Sequence, residues 1–344
     1  MDAQPVEYMV RLSDPGEIAA GLPHLLGFRP SESVVLIGLA GSGGRVGMCV
    51  RADLPPPPLH ASVAAGLARA MATSDAHAAV VAVVSEAPDG PDLPRRDLVH
   101  ELVLSLDAVG LAVADALLVR AGRWWSYDCP HACCAPGGGT PLPGGVSALE
   151  VASVAAGQVL AEDRDELLAR VAPLDGPAAA AMAGACLRVG HELVAAAAAQ
   201  GPAALAEEGW AAVLEGLAAV RPGSASRRLT DDEVARIGWA LRDADVRDRS
   251  LELVLDSGSG AVELLWAQCT PRLPPPLDAA PATLLAVCAW LRGDGALAGV
   301  ALDRAADGDP DYALAGLLRD GLASCMAPSE LRSLLTAAAA LGRS

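Results

Sequence analysis

"AAVVAVVSEAPDGPDLPRRDLVHELVLSLDAVGLAVADALLVR", residues 78–120, decides the fold class. Residues 78–84 are wholly apolar and stop at Ser85-Glu86, the pattern of a strand buried on both faces. "RRDLVHELVLSLDAV" (95–109) is amphipathic at helical spacing, and "VADALLVR" (113–120) returns to a strand pattern. With the strand and helix that precede them (45–54 and 59–72), the order strand, helix, strand, helix, strand implies right-handed crossovers and a short parallel core.

The same reading extends in both directions. Upstream, "VEYMVRL" (6–12) is a strand candidate, and "DPGEIAAGL" (14–22) a short helix with Asp14 as N-cap and Pro15 at its first position. "SVVLIGLA" (33–40) and "RVGMCVRADL" (45–54) are β-rich runs joined by "GSGG", a hairpin. A phosphate-binding loop would pass from strand into helix, which "GSGGR" does not do. "LHASVAAGLARAMA" (59–72) is helical. Downstream, "VADALLVR" and "RWWSYD" (123–128) form a second hairpin turning at Ala121-Gly122. The expectation is a mixed sheet with a short parallel core and two hairpins, an α/β domain over residues 1–145. "CAPGGGTPLPGG" then breaks all periodicity.

Residues 146–344 read as an all-α, Ala-rich domain of roughly eight helices, cut by breakers such as "APLDGP", "RPGSAS" and "TPRLPPPLDAAP". Trp210, Trp239, Trp266 and Trp290 fill gaps between these helices. In "GDGALAGVALDRAADGDPDYALAGLL" (293–318), Asp294 opens a helix carrying Ala298, Leu302 and Ala305 at spacings of four and three, before Pro310. That spacing resembles the second helix of a tetratricopeptide-like hairpin, although no second copy is found.

Composition removes several functions. All 25 basic residues are Arg, so no Lys Schiff base and no Walker lysine exists. A net charge of −17 argues against nucleic acid or anionic membrane as a partner. The opening "MDAQPVEYMVRLSDPGE" lacks a basic region followed by an apolar run, so no signal peptide is expected. The most membrane-like window, 177–199, is interrupted by Arg188, His191 and Glu192. A cytoplasmic protein with reduced cysteines is expected.

Two places draw chemistry. "SYDCPHACC" (126–134) holds Asp128, Cys129, His131, Cys133 and Cys134. Zinc through Cys129, Cys133 and Cys134 is one reading, and Cys49, His24 or His60 could complete the shell. Adjacent Cys133 and Cys134 diverge in an extended chain, so shared ligation needs a tight turn. A nucleophilic cysteine beside His131 and plain structural thiols are the other readings; apart from zinc no cofactor is expected. The second place is the sheet edge. In α/β sheets ligands gather at the carboxyl ends of the parallel strands. Arg51 and Asp53, Ser85 and Glu86, and the "GFRPSES" residues Phe28, Arg29, Ser31, Glu32 and Ser33 should converge there, either as a ligand site or as salt bridges tying loops down. The cysteine loop should lie at the opposite end.

"LPHLLGFRPSESVVLIGL", "RVGMCVRADLP", "WWSYDCPHACC…GTPL" and "WLRGDGALAGVALDRAADGDPDYALAGLL" together resemble an actinobacterial family described as domain of unknown function 4192. The resemblance spans nearly the whole chain. It implies no activity, cofactor or catalytic residue. The family's pattern includes the positions of Cys129, Cys133 and Cys134 and does not require a histidine at His131.

Three functions stay open on the sequence. The leading one is a non-enzymatic interaction or regulatory protein, with a protein partner on the helical domain. The second is a small-molecule-binding enzyme, conceivably hydrolytic, at the Arg51/Asp53 edge, where Asp53 or Glu86 would be the base and Arg29 or Arg51 the anion binder. The third is a zinc-stabilised module.

Overall fold

A computed structural model describes residues 14–41, 45–145, 149–151, 160–221, 223, 226–255, 259–324 and 326–342. The strand expected at 6–12 and most of the "GSGG" turn lie outside these residues. Two compact units divide the chain: Met1–Arg164 with Ala323–Ala327, and Asp165–Leu322 with Pro328–Ser344.

The first unit is built on a six-stranded mixed sheet in the order β2-β1-β3-β4-β5-β6. Its strands are β1 (Ser33–Ala40), β2 (Arg45–Asp53), β3 (Ala76–Val84), β4 (Ala112–Arg120), β5 (Arg123–Ser126) and β6 (Thr140–Pro141). Only β3 and β4 are paired in parallel. β1 lies between β2 and β3, antiparallel to both, so the parallel core is a single pair. β6 was not visible in the sequence, because two residues beside Gly and Pro carry no alternation. The turn into β5 uses left-handed backbone at Ala121 (φ 46°) and Gly122 (φ 72°). That twist suits a two-residue hairpin.

Three helices cover the sheet: α1 (Pro15–Leu26), α2 (His60–Met71) and α3 (Arg96–Ala108). Asp14 caps α1 as expected, accepting the Gly16 amide at 2.7 Å. α2 and α3 pack side by side, bringing Leu67, Met71, Leu98, Leu102 and Leu106 against Val34, Leu36, Val81, Val83 and Leu118. Alternation along the strands puts Val35, Ile37, Val80 and Leu117 in the other buried layer. There α1 lies against β4.

The second unit contains α4 (Arg164–Ala169, its first residue shared with the unit before), α5 (Gly176–Gln200), α6 (Pro202–Val220), α7 (Asp231–Ala240), α8 (Ala244–Leu255), α9 (Ser259–Cys269), α10 (Ala279–Leu291), α11 (Gly295–Gly308), α12 (Ala313–Ala323) and α13 (Pro328–Gly342). These outnumber the eight expected because some breaks lack Gly or Pro. Between α7 and α8 the break is made by Asp243, whose carboxylate accepts the Asp245 and Val246 amides. No helix among the described residues is long and apolar enough to cross a membrane. Asp294 caps α11 through the Leu297 amide at 2.9 Å, and Ala298, Leu302 and Ala305 are buried in the α10–α11 hairpin.

Charge ties this hairpin together. Arg292 binds Glu263 of α9 at 2.8 Å and Asp294 at 3.3 Å. Fully buried Asp278, ahead of α10, meets Arg304 of α11 at 2.6 Å. Burial raises the Asp278 pKa, and the Arg304 charge opposes that rise. Removing one partner of a buried pair leaves the other charge uncompensated. Arg304→Met is therefore expected to cost about 3–5 kcal/mol in urea unfolding, and adding Asp278→Asn should recover part of the loss.

Candidate metal centre and polar sheet edge

The cysteine loop begins where β5 ends. β5 is four residues long, so the chain leaves the sheet opposite Leu117, partway along β4 rather than at its far end. The Tyr127 amide still donates to the Ala116 carbonyl at 2.8 Å, and then the loop folds on itself. Residues Ala132–Cys134 form a single 3-10 turn, closed by Cys134 N to His131 O at 3.0 Å. This is the tight turn that shared ligation by neighbouring cysteines requires.

With that turn in place, the Sγ atoms of Cys129, Cys133 and Cys134 lie within 4.8 Å of one another. Cys129 and Cys133 are 3.8 Å apart, and Cys133 and Cys134 3.9 Å. Thiolates around one tetrahedral zinc, at the usual Zn–S length, stand about 3.8 Å from each other. Disulfide sulfurs would be at about 2.05 Å. A cubane iron–sulfur cluster places each cysteine on a different iron, which needs a wider spread than this. The spacing suits one soft ion.

One backbone amide points at a sulfur. Ser126 N donates to Cys134 Sγ at 3.3 Å. The nearby His131 backbone amide is the main cause lowering the Cys129 pKa. Burial pushes Cys134 the other way, up to about 11, with the Ser126 amide opposing. Among the described residues no histidine or carboxylate joins the three sulfurs. The His131 side chain is outside the group. Cys49 sits in β2 opposite Ile37, His60 starts α2 and His24 is in the last turn of α1, so none completes the shell.

Glycines and Trp125 shape the rest of the loop. A side chain at Gly138 would strike the carbonyl oxygens of Ala132, Cys133 and Ala135. Gly139, at φ 91°, lies directly on the Trp125 ring. Its amide donates to Cys133 O at 2.7 Å. The Gly137 amide donates to Asp89 Oδ2 at 2.7 Å. Asp89 also pairs with Arg120 at 2.9 Å, and the Arg120 guanidinium stacks 4.9 Å from the Trp125 ring centre. The loop therefore returns to the carboxyl edge of the sheet, contrary to its expected place at the opposite end. The cause is the short β5, which turns the chain back before it reaches the far end.

At that edge the expected strand ends do align. Ser33 pairs with both Asp53 and Val84, and Val84 with Val119. The side chains bind each other. Arg51 donates to buried Ser33 Oγ at 2.7 Å, pairs with Asp53 at 2.6 Å and lies 5.9 Å from the Phe28 ring centre. Phe28 is buried and bridged to Ala161, while Arg29 turns to Glu162 at 3.3 Å. Ser31 gives its carbonyl to Ser33 Oγ. Glu32 accepts Ser85 Oγ at 3.0 Å and the Glu86 amide at 2.7 Å, and pairs with Arg95 at 3.4 Å. Glu86 in turn accepts the Ala121 amide at 3.2 Å. Glu32, Arg95 and Ala121 have left-handed backbone, at φ 36°, 64° and 46°, and these bonds hold all three. The contributions of Asp89, Arg120, Trp125, Glu162 and the three glycines escaped the sequence reading. Only the "GGG" run offered a signal, as backbone in need of room.

A family model described as "Domain of unknown function (DUF4192)" matches residues 15–329. The chain belongs to that family. No curated protein and no solved structure matches it.

Gly139→Ala places a methyl group in the Trp125 ring on a left-handed residue. The expected outcome is a loss of about 1–3 kcal/mol in the unfolding of the α/β unit. Gly144→Ala in the same segment, with open space around it, should change it little.

Proposed function

We propose that the protein is a non-enzymatic metalloprotein whose α/β unit holds one soft ion, zinc in the first instance, through Cys129, Cys133 and Cys134. The observation that carries this reading is the set of three sulfurs at single-ion spacing, with the Ser126 amide donating to one of them. Thiolate ligands select zinc or cuprous copper over hard cations. The bound ion would crosslink the loop from Cys129 to Cys134 and would supply folding free energy. Three protein ligands leave a fourth position for water or an exogenous group.

The interaction reading is a second one, favoured by α5, where Leu187 and Val194 lie two turns apart at 65% and 72% exposure. The repeat-like α10–α11 hairpin belongs with this reading. A protein partner on the helical unit and a reducing, cytoplasmic setting complete it; the described cysteines are free thiols, as such a setting requires. No observation favours the enzyme reading. Arg29, Arg51, Asp53 and Glu86 are engaged with Glu162, Ser33, each other or the Ala121 amide.

The test is metal analysis and native mass spectrometry of the full chain purified under reducing conditions. One zinc per chain is expected, lost in Cys129→Ser/Cys133→Ser. Thiols must lose protons to bind, so affinity should fall as the pH is lowered from about 8 to about 6. A metal-free chain that also takes up zinc no better than the double variant would overturn the proposal.

A further inference from the structure

The helical unit holds a cleft of about 560 Å³, lined by Leu174, Ala267 and Pro271 on its apolar side and by Ser226, Arg227, Arg228, Gln268 and Arg272 on its polar side. That volume is within the usual range of small-molecule sites. Every charged side chain in the lining is an arginine, in a chain whose net charge is −17.

The polar wall is held rigidly. Arg272, with its side chain 5% exposed, donates to Leu229 O at 2.8 Å and to Asp231 at 2.5 Å. Arg227 grips Glu233 with both terminal nitrogens, at 2.8 and 2.5 Å. Glu233 also closes a capping box with Thr230 at the start of α7. Gln268 accepts the Leu229 amide through Oε1 at 2.9 Å. The apolar side is fixed by Leu174 N donating to Pro271 O at 2.9 Å.

Two groups are left over. The guanidinium of exposed Arg228 has no ion pair or hydrogen bond among the described residues. The amide nitrogen of Gln268, whose oxygen is already engaged, likewise has no acceptor among them. Both are donors, and they flank an apolar floor. We propose that this cleft binds a small organic anion, with its carboxylate or phosphate oxygens on Arg228 and Gln268 and its apolar body against Leu174, Ala267 and Pro271. Arg227 and Arg272 are neutralised by Glu233 and Asp231, so Arg228 carries the charge offered to the ligand. The site is separate from the thiol cluster and does not depend on it.

Calorimetric titration of the full chain with benzoate and with phenyl phosphate tests this, with benzyl alcohol as the neutral control. Arg228→Gln removes the charge at an exposed, unpaired position. Gln268→Glu keeps the acceptor for Leu229 and replaces the amide donor by a negative charge. At least one anion should bind, weakened about tenfold or more by each variant, with circular dichroism unchanged. Whichever anion binds more tightly identifies the head group. Benzyl alcohol binding as well as the anions, variants binding like the parent chain, or no binding of either anion up to roughly 10 mM would each overturn the proposal.

Discussion

The Trp125 indole is the form on which the cysteine loop is cast. Its ring is 2% exposed and lies in the same core as Leu98, Leu102 and Cys134. Gly139 rests on it from the returning strand, and Arg120 stacks on it from β4. Its indole N–H has no hydrogen-bond partner among the described residues, a cost on the order of 1–3 kcal/mol. The area buried by so large a ring offsets that cost. Because the loop must pass this ring at contact distance, the residue there has no side chain. Because β5 is only four residues long, the loop must turn at once. The 3-10 turn that gathers the sulfurs follows from both demands.

The same ring joins the loop to the sheet edge. Arg120 stacks on Trp125 and binds Asp89, and Asp89 holds the Gly137 amide. A displacement of the loop would release Gly137 and unbalance a half-buried ion pair. The edge beyond is a closed set of charges: Asp89 with Arg120, Glu32 with Arg95, Asp53 with Arg51. The two pairs with exposed carboxylates, Glu32–Arg95 and Asp53–Arg51, contribute little singly. Here they hold strained backbone at Glu32 and Arg95, so their contribution is to shape more than to stability.

Much of the α/β unit was legible in the sequence because its signals are local. The apolar run 78–84, the amphipathic 95–109 and the Asp14-Pro15 cap each depend on residues close in the chain. The insertion of β1 between β2 and β3 was not legible, since an all-apolar strand such as 33–40 can be flanked on either side. The sheet edge was half legible. Strand ends told which residues arrive, and they did arrive, but not that Ala161 and Glu162 would occupy Phe28 and Arg29 from more than a hundred residues away. For the cysteines, spacing alone put structural thiols ahead of zinc and of a nucleophile. Hidden by sequence distance was the return of the loop over Trp125, which accompanies the gathering of the three sulfurs.

Packing alone does not account for the three thiols. A free cysteine used as a small hydrophobe is among the most buried of residues. Cys186, Cys269 and Cys288 in the helical unit fit that description: each is buried, and burial raises each thiol pKa. Cys134 fits it too. Cys129 is only half-buried and Cys133 is exposed, so neither gains by withdrawal from water. Serine or alanine would serve as well in a stiff surface turn. Yet their sulfurs gather with that of Cys134, within 4.8 Å of one another, in a turn that requires Gly138. Three like charges so close would repel strongly without a cation between them. The arrangement is costly as three thiolates and idle as three thiols, and the proposed single bound ion would make it favourable.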